Sequence, residues 1–455
     1  MTVLDAQFDI ARAAPTLGVT GRVASFAGMT LQASGLPAPL GALCEVQTGP
    51  DRALFAEVIG FRQGMTLLMP IDTAEGVCKG QRIRLVTTAQ KIAVGPELLG
   101  QVIDGMGRRV SDGRTIEADT CYPLQRSAPE ATSRPRIDAP ISVGIRSINA
   151  LLTIGSGQRM GIFAGTGVGK SVLLGMMARY TSADVAVIAL IGERGREVGD
   201  FIAKDLGTAG LRRSVVVVST SDQSPPLRIR ACLAATAIAE YFRDRGANVL
   251  LLMDSVTRMA MAGRQIGLAA GEPPATKGYP PSVFAMMPRL MERCGRTVRG
   301  SITGLYTVLV EGDDLNEPIA DAARGILDGH VWLSRRLASR GQYPAVSVLD
   351  SISRVMPDIT DAAQLAAASR VRRLLAVWSE IEDLVNIGAY AAGSNPEYDV
   401  TIRMRPAVEA FLKQAVTEPA DFEASRESLL RLAREIQQAE AAAASPKPAA
   451  AGARR

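Results

Sequence analysis

Apolar residues change their spacing along this chain, and each change marks a different kind of element. From about Val19 to Thr87 the segments VTGRVASF, GMTLQAS, ALCEVQT, RALFAEVIGF, MTLLMP and RIRLVTT are short and are parted by Gly- or Pro-rich breaks. Segments of this length and spacing predict strands of a small barrel or sandwich, here bounded at 19–90. Residues 91–140 are rich in Gly, Asp and Pro, which predicts a connector with a few local elements and no core of its own. Over 141–358 the apolar runs become continuous: GQRMGIFA, DVAVIALI, SVVVVS, NVLLLM, GLYTVLV and YPAVSVL. Runs without polar alternation fit a parallel sheet covered on both faces. Helical stretches such as SVLLGMMARYT and LAATAIAEYFRDRG lie between them, so the pattern is doubly wound α/β. Residues 359–440 carry helical spacing instead, with Leu429, Leu432, Ala433 and Ile436 on one face of the last helix. At the ends, Leu4, Phe8 and Ala11 share a face of a short helix stopped by Pro15, so residues 1–18 read equally as a frayed terminus or as a partner-binding arm. The Ala/Pro-rich residues 441–455 read as a disordered tail.

Composition narrows the chemistry. The 455 residues carry 51 Lys and Arg against 46 Asp and Glu, a net +5. Lys447, Arg454 and Arg455 sit in the tail, so the body is nearly neutral and announces no nucleic acid. No run of ~18 apolar residues is present to span a bilayer, and the N-terminus lacks the pattern of a secretory signal. Cys44, Cys78, Cys121, Cys232 and Cys294 are odd in number and far apart, which reads as buried thiols in a reducing cytoplasm. With His330 alone, His-rich metal sites are excluded, and His330 itself reads as structural. Arg335, Arg336 and Arg340 read as a solvated helix face.

Nearly every strand of the 141–358 region ends in a polar cluster: GTGVGKS, GERGRE, TSDQSPP, DSVTR, EGDD and DSISR. Ligands of open α/β sheets bind outside the carboxyl ends of the strands, so an active site is expected there. The strongest signal is AGTGVGKS at 164–171, placed between a strand and a helix. Glycines let such a loop curl so that backbone N–H groups point at phosphate oxygens, and the helix N-terminus adds partial positive charge. Gly165, Thr166, Gly167, Val168, Gly169, Lys170, Ser171 and Val172 are therefore the candidate nucleotide-binding residues. Lys170 would reach the β- and γ-phosphates, and the Ser171 hydroxyl would ligate Mg²⁺. Ala164 replaces the usual first Gly, which is acceptable only at negative φ. Asp254 ends the run NVLLLMD and is the second candidate Mg²⁺ ligand. Glu193, just past DVAVIALI, can orient and polarise an attacking water; the alternative is a surface Glu paired with Arg194 or Arg196. Arg354 follows the last strand and fits either an arginine finger, if subunits form a ring, or a structural ion pair.

These residues, together with LLGQVIDGMGRRVSDG, GIRSINALLTIGSGQRMGIFAGTGVGKSVLLGMMAR, LIGERGREVGDF, AGEPPATKGYPPSVFAMMPRLMERCG and YPAVSVLDSISRVMPDI, resemble the RecA-like ATPases of rotary ATP synthases. The closest resemblance is to the flagellar type III protein-export ATPases and their virulence-secretion relatives, over about 19 to 412. It implies an N-terminal β-barrel, a RecA-like P-loop ATPase core with a mainly parallel sheet, and a C-terminal helical domain. It implies an ATP hydrolase using ATP and Mg²⁺ at the subunit interfaces of a homohexamer that energises protein export for flagellum assembly. It carries the roles onto Lys170, Ser171, Glu193, Asp254 and Arg354, and adds Arg194 beside the catalytic glutamate. The implied partners are a stator or regulator subunit at the N-terminal arm, a central stalk protein, the membrane export gate, and export substrates with their chaperones, without nucleic acid. The implied location is the cytoplasm, peripheral at the inner-membrane export apparatus. A virulence-type secretion ATPase is the alternative, and a rotary catalytic subunit the next, though Ala164 is similar to the export branch. An RNA translocase would need stacked aromatics in the N-terminal domain, where only Phe26, Phe55 and Phe61 stand. A non-catalytic nucleotide-holding subunit is disfavoured by the presence of both Lys170 and Glu193. The rotary catalytic subunit has an adenine-stacking aromatic soon after the SR motif; here none precedes Trp378, and Tyr390 is the candidate adenine contact.

Overall fold

The computed structural model describes residues 18–444 apart from 51, 119, 311–313 and 315–316. Residues 1–17 of the expected arm, 445–455 of the expected tail and most of the EGDD cluster lie outside the described residues. Two compact units are present. The first takes the chain up to Arg136 with Gly157–Phe163 and Ala183–Leu327; the second takes Ile137–Ser156, Ala164–Ser182 and the chain from Asp328.

In the first unit the six predicted strands form. They are β1 (Thr20–Ala27), β2 (Thr30–Ser34), β3 (Leu43–Gln47), β4 (Ala53–Arg62), β5 (Met65–Pro70) and β6 (Arg82–Thr87). They close into a barrel in the order β1-β2-β5-β4-β3-β6, which leaves no free sheet edge. Alternate residues point inward, so Val23, Leu31, Ala33, Cys44, Val46, Leu68 and Ile83 meet in one apolar core. Outside the barrel, Ile59, Leu67 and Met69 pack on Ile266, Ala269 and Ala270 of the helix Val256–Ala270.

The same unit holds β7 (Val102–Asp104), β8 (Arg159–Ala164, whose last residue opens the second unit), β9 (Val185–Ile191), β10 (Ser214–Ser219), β11 (Asn248–Asp254) and β12 (Ser301–Leu309). Their order is β8-β12-β11-β9-β10-β7. The pairs from β12 to β7 are all parallel. Every residue of β9 and β10 is buried, as continuous apolar runs require. The edge strand β7 departs from the expectation of a connector without core. It is three residues long and set in Gly-rich sequence, so no periodicity announces it, yet it pairs with β10 through Val216, Val217 and Val218. The helix after β10 also starts earlier than its apolar pattern suggests. Pro225 and Pro226 occupy its first turn, where a missing N–H costs nothing.

A buried charge network ties the connector to this helix. Arg293, 2 % exposed, donates to both Glu240 carboxylate oxygens at 2.9 and 2.8 Å and to the Leu124 carbonyl at 2.7 Å. Three of the five thiols are buried, and burial pushes Cys44 up to about 12 and Cys294 up to about 11. Cys78 and Cys121, expected to be buried, are exposed. Cys78 lies in the turn ahead of β6, and Cys121 faces outward from the short ribbon strand Thr120–Pro123.

In the second unit, β13 (Gly329–Leu333) pairs antiparallel with β14 (Val346–Ser353). The helices are α1 (Lys170–Tyr180), α2 (Ala362–Asn386), α3 (Pro396–Leu412) and α4 (Phe422–Ala444), with shorter ones between. The predicted face of α4, Leu429, Leu432, Ala433 and Ile436, packs with Val371, Val408 and Phe411. Ala150, Leu151, Val348 and Met356 share that core, which is why part of the expected 141–358 region groups with the helices. α4 continues to Ala444, past the expected boundary at 440, because its last turn is alanine, the best helix former.

Glu240→Ala is expected to destabilise the protein by about 3–5 kcal/mol, because it strands a buried guanidinium. Urea denaturation followed by circular dichroism should show a lowered midpoint, with much of the loss recovered by Glu240→Leu combined with Arg293→Met.

Candidate active site

β8 runs straight into the phosphate-loop sequence. Ala164 is its last strand residue and keeps extended, negative-φ backbone, so the missing first glycine carries no strain. The glycines that matter are Gly167 and Gly169, at φ +78° and +83°. Gly169 is the left-handed residue from which α1 starts at Lys170. Thr166, Gly167, Ser171 and Val172 are exposed, Val168 is buried, and Lys170 is half-buried. This is a solvent-accessible loop whose first helical N–H groups face outward, the arrangement that takes phosphate.

A side chain not anticipated from sequence stands beside it. A Cβ built on Gly169 would lie 3.3 Å from the Tyr343 ring, so that ring rests against the loop while remaining 45 % exposed. The signal is present in YPAVSVL, where the aromatic precedes the strand rather than following Arg354. Tyr390, by contrast, lies between α2 and α3. Its hydroxyl is 2.9 Å from Asp399 Oδ1 and 3.0 Å from the Asn395 carbonyl, and its ring sits against Tyr398.

Arg354 follows β14 as expected. Its backbone N–H donates to the Asp328 carbonyl at 3.1 Å, and its side chain is exposed with no hydrogen bond or ion pair among the described residues. His330 is structural: its Nε2 lies 2.9 Å from the Asp350 carbonyl on the paired strand.

In the first unit the parallel register sets Leu190 opposite Asp254, so both chains leave the sheet at the same level. Asp254 is 4 % exposed and accepts from Thr307 Oγ1 at 2.6 Å. Glu193 lies three residues beyond Leu190 and its carbonyl accepts from the Ser221 N–H at 3.0 Å. Arg194 pairs with Glu197 at 3.5 Å and Arg196 with Asp200 at 3.6 Å, so both exposed arginines have carboxylate partners other than Glu193. Gly192, at φ +71°, lets Arg258 approach: an added Cβ would meet the Arg258 Cβ at 2.9 Å. Arg258 was also missed in the sequence, although it stands one helical turn after Asp254 in DSVTR. Its aliphatic stem covers Gly192, and its guanidinium donates to Met261 Sδ at 3.8 Å.

Arg335, Arg336 and Arg340 are exposed, as a solvated helix face requires, and two of them also form an ion pair. Arg336 and Arg340 both bond the Glu382 carboxylate on α2, which is buried and also accepts from Trp378 Nε1 at 3.2 Å. Periodicity could not show this, because Glu382 lies more than forty residues away.

The comparisons with known proteins agree with this geometry. Residues 144–353 match the nucleotide-binding domain of the ATP synthase alpha/beta family, and residues 360–431 match the type III secretion EscN ATPase C-terminal domain. The flagellum-specific ATP synthase of Bacillus subtilis (strain 168) is 52% identical over 417 residues, covering 90% of this chain and 94% of that protein. The chain belongs to the type III export branch of the ATP synthase alpha/beta family. Among solved structures, the assembled ATPase EscN of the enteropathogenic E. coli type III secretion system superposes with a TM-score of 0.86 at 43% identity, covering 91% of this chain and 100% of that one. EscN in complex with its central stalk EscO gives a TM-score of 0.84 at 42% identity, covering 91% of this chain and 100% of that one. In this export-ATPase chain, as expected from sequence, a closed barrel, a parallel-rich sheet and a helical C-terminal region follow one another.

The Glu382 clamp has a pH signature. Burial alone would raise its carboxyl, but the hydrogen bonds and charges of Arg340 and Arg336 outweigh burial and hold it below the ordinary range. Its stabilisation is therefore complete above the unfolded carboxyl value, about 4.3, and is lost as pH falls through the lower folded value. Calorimetry is expected to show the wild-type melting temperature dropping on acidification below that point. Glu382→Gln should begin lower at neutral pH and drop less.

Proposed function

We propose that this export ATPase hydrolyses Mg-ATP to energise type III protein export, and that the export system is flagellar. The observation that carries the reading is the exposed Gly167–Ser171 loop opening α1, in a chain half identical to a flagellum-specific relative. Lys170 neutralises the β- and γ-phosphate oxygens, and the backbone N–H groups of the loop hold the rest of the chain of phosphates. The Ser171 hydroxyl and the Asp254 carboxylate are hard oxygen donors of the kind Mg²⁺ takes, and Thr307 fixes one Asp254 oxygen in place. When bound, the ion neutralises charge shared by the β- and γ-phosphates. Glu193 orients a water, whose oxygen bonds to the γ-phosphorus as the bond to the bridging oxygen breaks and ADP leaves. Arg194 adds positive charge beside Glu193. Tyr343, rather than Tyr390, offers its face to the base.

Arg354, exposed and without a side-chain partner among the described residues, acts as an arginine finger on the nucleotide of a neighbouring copy in a homohexamer. EscN was solved assembled and with its central stalk EscO. That likeness supports a stalk protein here; the resemblance to export ATPases extends the proposal to a stator or regulator subunit on residues 1–18, the membrane export gate, and export substrates with their chaperones. Among the described residues no helix is long and apolar enough to cross a membrane. The cytoplasmic face of the export apparatus is the proposed location, held peripherally. The match of residues 360–431 to the EscN C-terminal domain favours a second reading, virulence-type secretion.

Lys170→Ala is expected to abolish phosphate release in a coupled assay, and wild-type turnover by a correctly assembled variant would overturn the assignment. Arg354→Ala is expected to retain nucleotide binding while losing about 10³-fold or more in turnover. Restoration of motility to a flagellar strain lacking its own export ATPase would support the flagellar reading. Restoration only of a virulence secretion strain would support the second.

A further inference from the structure

The six residues Lys413–Glu418, which leave the end of α3, bond both the backbone of Tyr343, whose ring stands beside the phosphate loop, and the helix that carries Lys170. The Gln414 backbone N–H donates to the Tyr343 carbonyl at 3.0 Å. Two residues on, the Val416 carbonyl accepts from Tyr180 Oη and from an Arg179 guanidinium nitrogen, each at 3.1 Å, at the far end of α1. The segment is itself pinned through the Gln414 side chain, which is 6 % exposed. Its Oε1 accepts from the Arg146 N–H at 2.7 Å, and its Nε2 donates to the Gly144 and Glu418 carbonyls at 2.8 and 2.7 Å. Each polar atom of this buried amide is satisfied, so it has one orientation. From the other side, the stretch that leads to Tyr343 is held on α2 by Arg336 and Arg340 through Glu382.

We propose that Gln414 is a positioning residue for nucleotide binding: it locks the Lys413–Glu418 segment so that the end of α3 sets the placement of the Tyr343 ring relative to α1. This inference rests on the reading of Tyr343 as the base platform. Its consequence is directional. A shift of α3 moves the Tyr343 carbonyl through one hydrogen bond and the end of α1 through two others, so helix position and base affinity are coupled. The coupling acts on the base and leaves the phosphate loop itself, which is shaped by Gly167 and Gly169, intact.

The test uses the full chain under assembled, steady-state conditions with Gln414→Ala, Tyr343→Ala and the double variant. Inorganic tripolyphosphate, a probe without a base, serves as a competitive inhibitor. Gln414→Ala is expected to raise KM for ATP about tenfold, within the range of couplings between contacting residues. The loss should fall on KM rather than kcat, tripolyphosphate inhibition should not move, and Gln414→Ala should add little in the Tyr343→Ala background. If Gln414→Ala fails to fold, Gln414→Met, of similar size and neutral, carries the same comparison. Additive losses in the double variant, an equal loss of tripolyphosphate affinity, or an unchanged KM in Gln414→Ala would each overturn the proposal while leaving the base platform standing. An unchanged KM in Tyr343→Ala would remove the platform, and the inference with it.

Discussion

Two left-handed residues, Gly167 and Gly169, are the constraint from which the catalytic architecture follows. A side chain at positive φ is strained, and at Gly169 it would also strike the Tyr343 ring. Only glycine therefore lets the chain turn out of β8, present its N–H groups and enter α1 at Lys170 with an aromatic face beside it. The strand behind the loop must be rigid for this to work. It belongs to a sheet whose parallel strands are buried on both faces, and such strands admit charged groups mainly where they end. The chemistry is gathered at strand ends because the sheet admits charge mainly there.

In the second unit the helices share one apolar cluster with Ala150, Leu151, Val348 and Met356, so the strand between Tyr343 and Arg354 is packed on them. Hydrophobic contact of that kind is tolerant of small displacements. The polar contacts are not: Glu382 with its two arginines and Gln414 with its three backbone partners each demand one geometry. Such groups hold the stretch before Tyr343 on α2 and tie the Tyr343 carbonyl to the segment after α3.

The elements read from spacing were those whose surroundings repeat along the chain. The barrel strands, the long buried strands and the face of α4 each report a regular environment, so alternation or helical spacing reveals them. β7 was not legible, since three residues among glycines have no period and gain their place from pairing with β10. The exposed Cys78 and Cys121 were misread because cysteine composition speaks of compartment rather than of which face of a turn or ribbon a thiol occupies. Arg336 and Arg340 are solvent-exposed as read, but the sequence could not show that they also reach Glu382, because a helix face is charged whether or not a distant carboxylate completes it.

Local chemistry of consecutive residues carried the phosphate loop, the carboxylates at strand ends, the barrel and the membership of an ATPase family, because glycine geometry, buried strands and loop spacing are properties of neighbours in the chain. The folded molecule was needed for the rest. It put Tyr343 against Gly169 across 174 positions, Arg258 against Gly192, and Gln414 beneath the Tyr343 carbonyl. Those contacts join segments that share no period and no motif, and they exist only after the apolar cores have chosen which distant segments lie side by side.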